Sequence, residues 1–270
     1  MTGQMLGRSE VRPGYRETVR ALAGAQKAAT PGTPAYSVLV NRRAGRLLAA
    51  GAYRAGLTPN MVSTISAAFT FSAITLLAAA PAGDSGPAGW TGPVVWAGLA
   101  IGYAFDSADG QVARLRGGGS LCGEWLDHVL DSIKASALHL AVLVCAYRTF
   151  GLDDPVWLLV PVAYCLVDAV AFLAMILTEQ LRKNHFLKAG AAIPRRIGSR
   201  LKSLALLPTD YGFLCFVFLF IGAPLVFMGL YTLFFAANLA YLVLACVKWF
   251  REMRRLDPAA AAASEGGRHA

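Results

Sequence analysis

The chain has 270 residues, 56% of them hydrophobic and 15% charged, with a formal net charge of +9. Soluble domains carry about a quarter charged residues, so this composition excludes an ordinary soluble enzyme and belongs to a membrane protein. Nucleic acid is excluded as a partner, because no stretch interleaves basic with aromatic residues and no soluble domain is left to carry such a surface.

Taken in order, residues 1–34 lack an apolar signal core and read as a flexible basic arm rather than a cleaved signal peptide. Tyr36 to Gly56 mixes Val38, Leu39, Val40, Leu47 and Leu48 with Arg42, Arg43, Arg46 and Arg54. That mixture predicts an N-terminal amphipathic helix lying on the membrane surface. Thr58-Pro59-Asn60 then breaks the chain and starts the next helix.

Apolar stretches follow at Met61 to Ala80, Trp90 to Phe105, Leu126 to Ala146, Pro155 to Leu177, Tyr211 to Ala223 and Leu225 to Val247. They predict an all-α integral membrane fold of six transmembrane helices, with the membrane domain over 35–250 and a tight hairpin at Pro224. The Ala-rich residues 251–270 read as a disordered tail.

With six spans, all of the 25 Lys and Arg except Lys134 and Arg148 fall on one side, opposite Asp84, Asp153 and Asp154. The positive-inside rule then puts both termini and the acidic motif on the cytoplasmic face of the cell membrane, against anionic lipids. The five cysteines show no metal or disulfide spacing and read as small core residues.

Asp106 to Asp131 carries the chemistry. It sets four carboxylates into an apolar chain, where ionised groups cost several kcal/mol unless compensated. On helices turning about 100° per residue, Asp106, Gly110 and Ala113 share one face, flanked by Asp109 and Arg114. Gly123, Glu124, Asp127, Asp131 and Lys134 share another, within about 100°. If the faces oppose, four carboxylates converge, joined by a turn at Gly117-Gly118-Gly119. Oxygen-only ligands favour Mg²⁺ or Mn²⁺, and two such ions would neutralise four Asp charges. A diphosphate is the natural anionic substrate, with Arg114 and Lys134 as further cationic partners. The residues by themselves describe a metal-dependent membrane phosphotransferase.

The pattern D-x-x-D-G-x-x-A-R-x8-G-x3-D-x3-D, met at Asp106, Asp109, Gly110, Ala113, Arg114, Gly123, Asp127 and Asp131, resembles the signature of the CDP-alcohol phosphotransferase family. The Thr58-Pro59-Asn60 triplet and the six-helix layout are similar too, over roughly residues 36–250. The resemblance implies transfer of a phospho-alcohol from a CDP-alcohol donor to a hydroxyl acceptor, with release of CMP. It implies that Asp106, Asp109, Asp127 and Asp131 hold two Mg²⁺ or Mn²⁺ ions. Gly110, Ala113, Arg114 and Gly123, with Thr58, Pro59 and Asn60, would bind the CDP part. Asp131 would be the base for the acceptor hydroxyl, and a homodimer is implied as well.

Two donors remain open. The string from Gly123 to Ser132 is similar to that of choline and ethanolamine phosphotransferases, in which Glu124 and His128 would position or deprotonate a diacylglycerol hydroxyl. His128 otherwise reads as a partner outside the ligand set, turned about 100° from Asp127. Arg195, Arg196 and Arg200, with Lys134, would instead bind a phosphorylated acceptor used with CDP-diacylglycerol, and the balance leans to this second reading. Asp168 is an intramembrane carboxylate, either functional or bonded to a neighbouring helix. A cation transporter or a non-catalytic scaffold is the remote alternative; no paired broken helices favour the first.

Overall fold

The computed structural model describes residues 14–25, 33–84, 86–192, 194, 203 and 206–257. Its elements are helices: α1 (Tyr15–Gly24), α2 (Arg42–Arg54), α3 (Pro59–Ala78), α4 (Thr91–Leu115), α5 (Leu121–Thr149), α6 (Leu159–Lys188), α7 (Tyr211–Val217) and α8 (Pro224–Leu256). A π-helical turn, Ser37–Asn41, leads into α2.

Local chemistry sets the boundaries that matter for the site. Thr58 caps α3 by accepting from the Met61 N–H at 3.2 Å, and Pro59 fills the first turn, where its missing N–H costs nothing. Ser120 caps α5 in the same way, accepting from the Gly123 N–H at 3.0 Å. Between α4 and α5 the chain reverses through Gly117 and Gly118, whose φ angles of 93° and 140° are open to glycine and few others. Asp210 caps α7 through the Gly212 N–H and also accepts from the Ser37 N–H, both at 2.9 Å.

All six apolar stretches fold as helices, and four are long and apolar enough to cross a membrane: α3, α5, α6 with its leading turn (Pro155–Lys188), and α8. The other two fall outside that set for different reasons. Tyr211–Phe220 is a shorter apolar helix. Helix α4 is 25 residues long, but its last ten residues carry Asp106, Asp109 and Arg114. The expected hairpin at Pro224 is present: Asn238 donates to the Pro208 carbonyl at 3.3 Å, and the Phe213 and Phe234 rings stack at 6.0 Å.

Two sequence boundaries shift. The stretch expected to be a flexible arm contains α1, which seats Leu22 and Thr18 in buried positions, with Leu22 in the cluster of Ala49, Ala50, Val62 and Val112. An apolar residue at helical spacing next to a ready surface folds even inside a basic segment. Helix α8 continues to Leu256, past residue 251 where the tail was expected to start, and residues 258–270 lie outside those described.

Small residues bring α4 close to its neighbours. A Cβ on Gly102 would meet Thr70 Oγ1 of α3 at 2.1 Å, and one on Gly98 would meet Ala73 at 2.8 Å. On the other side, a Cβ on Gly45 of α2 would meet Ser107 at 2.9 Å. Close backbone approach through small residues is how helices associate where lipid removes the hydrophobic drive. It clamps α4, and with it Asp106 and Asp109, between α2 and α3.

Candidate active site

The two arms of the motif face each other as the last turns of α4 and the first turns of α5. Oxygens of Asp106, Asp127 and Asp131 lie within 4.8 Å of one another. Asp106 comes from α4 and the other two from α5, four residues apart and therefore on one face. The Lys134 ammonium lies against this group, 2.6 Å from Asp106 Oδ1 and 3.0 Å from Asp131 Oδ1. It donates a third bond to Ser66 Oγ of α3 at 3.3 Å.

Asp109 stands beside the group rather than in it. Its Oδ2 accepts from Ser63 Oγ of α3 at 2.6 Å, its Oδ1 faces the Gly110 N–H, and the residue is buried. The sequence expectation of four converging carboxylates is therefore met by three, with the fourth tied to the neighbouring helix. Both α4 carboxylates reach α3: Asp109 is held by the Ser63 hydroxyl, whereas Asp106, 3.5 Å from Ser66 Oγ, is held more closely by Lys134.

Of the residues expected to bind CDP, Gly110, Ala113 and Arg114 stand on α4 and Gly123 on α5. Gly110 is exposed, and a Cβ there would have only Arg114 nearby, at 3.8 Å, so its backbone is open to a flat ligand. Ala113 is buried beneath it and Arg114 is exposed at the rim. A Cβ on Gly123 would come within 3.1 Å of Asn60 Oδ1, which joins the Thr58-Pro59-Asn60 turn to the start of α5. Arg116 secures the same junction by donating to the carbonyls of Gly56 and Leu57, both at 2.9 Å.

Among the described residues, those expected to contact an acceptor do not gather. Glu124 is exposed and pairs with Lys183 of α6 at 3.5 Å. The His128 ring meets Phe172 of α6 edge-on, with centroids 6.2 Å apart. Both side chains turn toward α6, as the rotation of His128 away from Asp127 anticipates. Lys134 is committed to Asp106, Asp131 and Ser66. Arg195, Arg196 and Arg200 lie outside the described residues.

Ser63 and Ser66 are the residues that sequence reasoning missed. Within an apolar helix a serine reads as a packing residue, and only its position one and two turns after the Thr58 cap hinted at the site. Deeper in the bundle lies a second polar cluster. His139 Nε2 donates to Asp168 Oδ2 at 2.9 Å, so Nδ1 is left to accept from the Tyr231 hydroxyl at 2.5 Å. Asp168 thus bonds to a neighbouring helix.

Asp106, Asp127 and Asp131 suit a hard divalent cation. Every donor is a carboxylate oxygen, the spacing lets one ion touch all three, and the side chains are partly exposed rather than sealed. No other group of three or more His, Cys, Asp or Glu has this spacing among the described residues.

The fold resembles that of Mycobacterium tuberculosis phosphatidylinositol phosphate synthase (PgsA1). With CDP-DAG bound, that structure superposes with a TM-score of 0.52 at 21% identity, covering 82% of this chain and 96% of the other. Its complex with manganese and citrate gives 0.48 at 19% identity, covering 75% and 87%. No curated protein sequence matches the chain. The family profile of CDP-alcohol phosphatidyltransferases matches residues 56–247, which include every fixed position of the acidic motif, and on that match the chain belongs to the CDP-alcohol phosphatidyltransferase family.

Proposed function

We propose that this transferase moves a phosphatidyl group from CDP-diacylglycerol to a small polar acceptor alcohol, releasing CMP, at a site facing the cytoplasm. The observation that carries the proposal is the convergence of Asp106, Asp127 and Asp131 beside an open glycine backbone at Gly110. The donor assignment is supported by where Glu124 and His128 point. A diacylglycerol acceptor needs them at the reacting hydroxyl, and they pair instead with Lys183 and Phe172. The related fold of PgsA1 is known with CDP-DAG bound, which agrees with the same donor.

In this scheme Asp106, Asp127 and Asp131, joined by Asp109, hold Mg²⁺ or Mn²⁺, two ions if Asp109 takes part. The metal supplies charge neutralisation and polarisation of the donor diphosphate. Gly110, Ala113, Gly123 and Asn60 form a cradle without bulk for the cytidine, and Arg114 lies at its rim to meet phosphate oxygens. The acceptor oxygen attacks the phosphorus attached to the lipid alcohol, and the bond to the CMP oxygen breaks. The acceptor proton passes to Asp131, of which Lys134 engages Oδ1. Arg195, Arg196 and Arg200 would bind a phosphate on the acceptor.

For the membrane, we take α2 to lie along the cytoplasmic surface. Leu39, Val40 and Leu47 are exposed while Gly45, Ala49 and Ala50 pack inward, as an interfacial helix requires.

CMP release from protein in lipid nanodiscs tests the assignment. Release with CDP-diacylglycerol and inositol phosphate, glycerol phosphate, inositol or serine is expected. Release only with CDP-choline or CDP-ethanolamine and diacylglycerol would overturn the donor.

A further inference from the structure

We infer that Lys134 is a built-in competitor for the divalent cation, holding the acid cluster together without metal and setting a low affinity for it. The inference rests on the phosphotransferase reading of the site and names how its metal is regulated. The geometry has three parts. The ammonium has three protons and meets three acceptors: Asp106 Oδ1, Asp131 Oδ1 and Ser66 Oγ, at 2.6, 3.0 and 3.3 Å. Two of those acceptors belong to residues of the three-carboxylate group. Lys134 also approaches from the buried side, its side chain 11% exposed against 24% for Asp106 and 32% for Asp131. The carboxylates thus stay reachable from outside while the lysine lies beneath them.

Two consequences follow from charge. Without metal, three carboxylates this close would repel one another in a medium that screens poorly, and the ammonium offsets part of that repulsion. With metal, the same ammonium opposes the incoming ion, whether it withdraws or stays. Ser66 gives it an anchor on a different helix, so it does not simply swing into water. The residue lies one turn along α5 from Asp131 and is fixed to the ligand face by the helix itself. A lysine here makes the metal exchangeable rather than permanent.

The test is Mn²⁺ binding to substrate-free protein in nanodiscs, read by the electron paramagnetic resonance of free Mn²⁺, together with melting with and without the ion. Lys134→Met is expected to bind Mn²⁺ about tenfold more tightly than wild type, since one opposing charge is removed. Its metal-free form should melt lower, and saturating Mn²⁺ should restore the wild-type melting temperature. Ser66→Ala removes one of the three acceptors and keeps the lysine; it should tighten Mn²⁺ by a smaller factor, and it serves if Lys134→Met does not fold without metal. Unchanged or weaker Mn²⁺ binding in the variant that folds overturns the inference while leaving the proposed function standing. Wild-type protein that binds no Mn²⁺ overturns both.

Discussion

Two carboxylate-bearing clusters in the molecule are partnered differently. Where the end of α4 meets the start of α5, three carboxylates share one lysine. Two turns further along α5, about 12 Å deeper, Asp168 meets one histidine, and that histidine meets one tyrosine. The second cluster is matched donor to acceptor. His139 is fully buried, its ring stacks on Tyr164 at 4.1 Å, and the Tyr164 hydroxyl accepts from Asn238 at 2.8 Å. The first cluster is left short of positive charge. A buried carboxylate points to chemistry when its neighbours leave acceptor capacity unused, and to architecture when they consume it.

The contrast can be broken at several points. Asp127→Asn should have the largest effect: CMP release falls below a few per cent of wild type while the melting temperature holds. Retained activity would remove Asp127 from the metal site. EDTA should abolish release just as fully, and added Mg²⁺ or Mn²⁺ should return it; activity that persists in chelator would end the metal scheme. Ser63→Ala, which frees Asp109, should lower the rate about tenfold with little change in melting, the usual size for a partner that orients a ligand. A silent Ser63→Ala would leave a site of three carboxylates. His139→Ala should do the reverse, costing about 2 kcal/mol of stability because Asp168 and Tyr231 lose their partner. CMP release per folded molecule should be unchanged, and a selective loss of rate would make the deeper cluster functional. Asp168→Asn should be the mildest, since an amide still accepts from His139; its melting shift should be smaller than that of His139→Ala.

Asp106, Asp127 and Asp131 were legible because their spacing is a helical one, and a carboxylate inside an apolar chain is conspicuous. Thr58-Pro59-Asn60 was legible as a cap, and the structure adds that Asn60 also touches the start of α5. The hydrogen bond that Asp109 accepts from Ser63 was not legible, because nothing along α4 reveals that Ser63 lies opposite. Glu124 and His128 were ambiguous for the same reason: their partners, Lys183 and Phe172, are more than forty residues away on α6.

By itself the sequence determined the membrane setting, the helices, the acidic motif and its family. These depend on composition and on spacings within one helix, where 3.6 residues per turn convert order directly into direction. The tertiary structure alone decided which carboxylates meet, which one serine takes aside, and that a lysine lies beneath the rest. Those outcomes depend on how closely α3, α4 and α5 approach, which the contacts of Gly98 and Gly102 set between helices rather than along them.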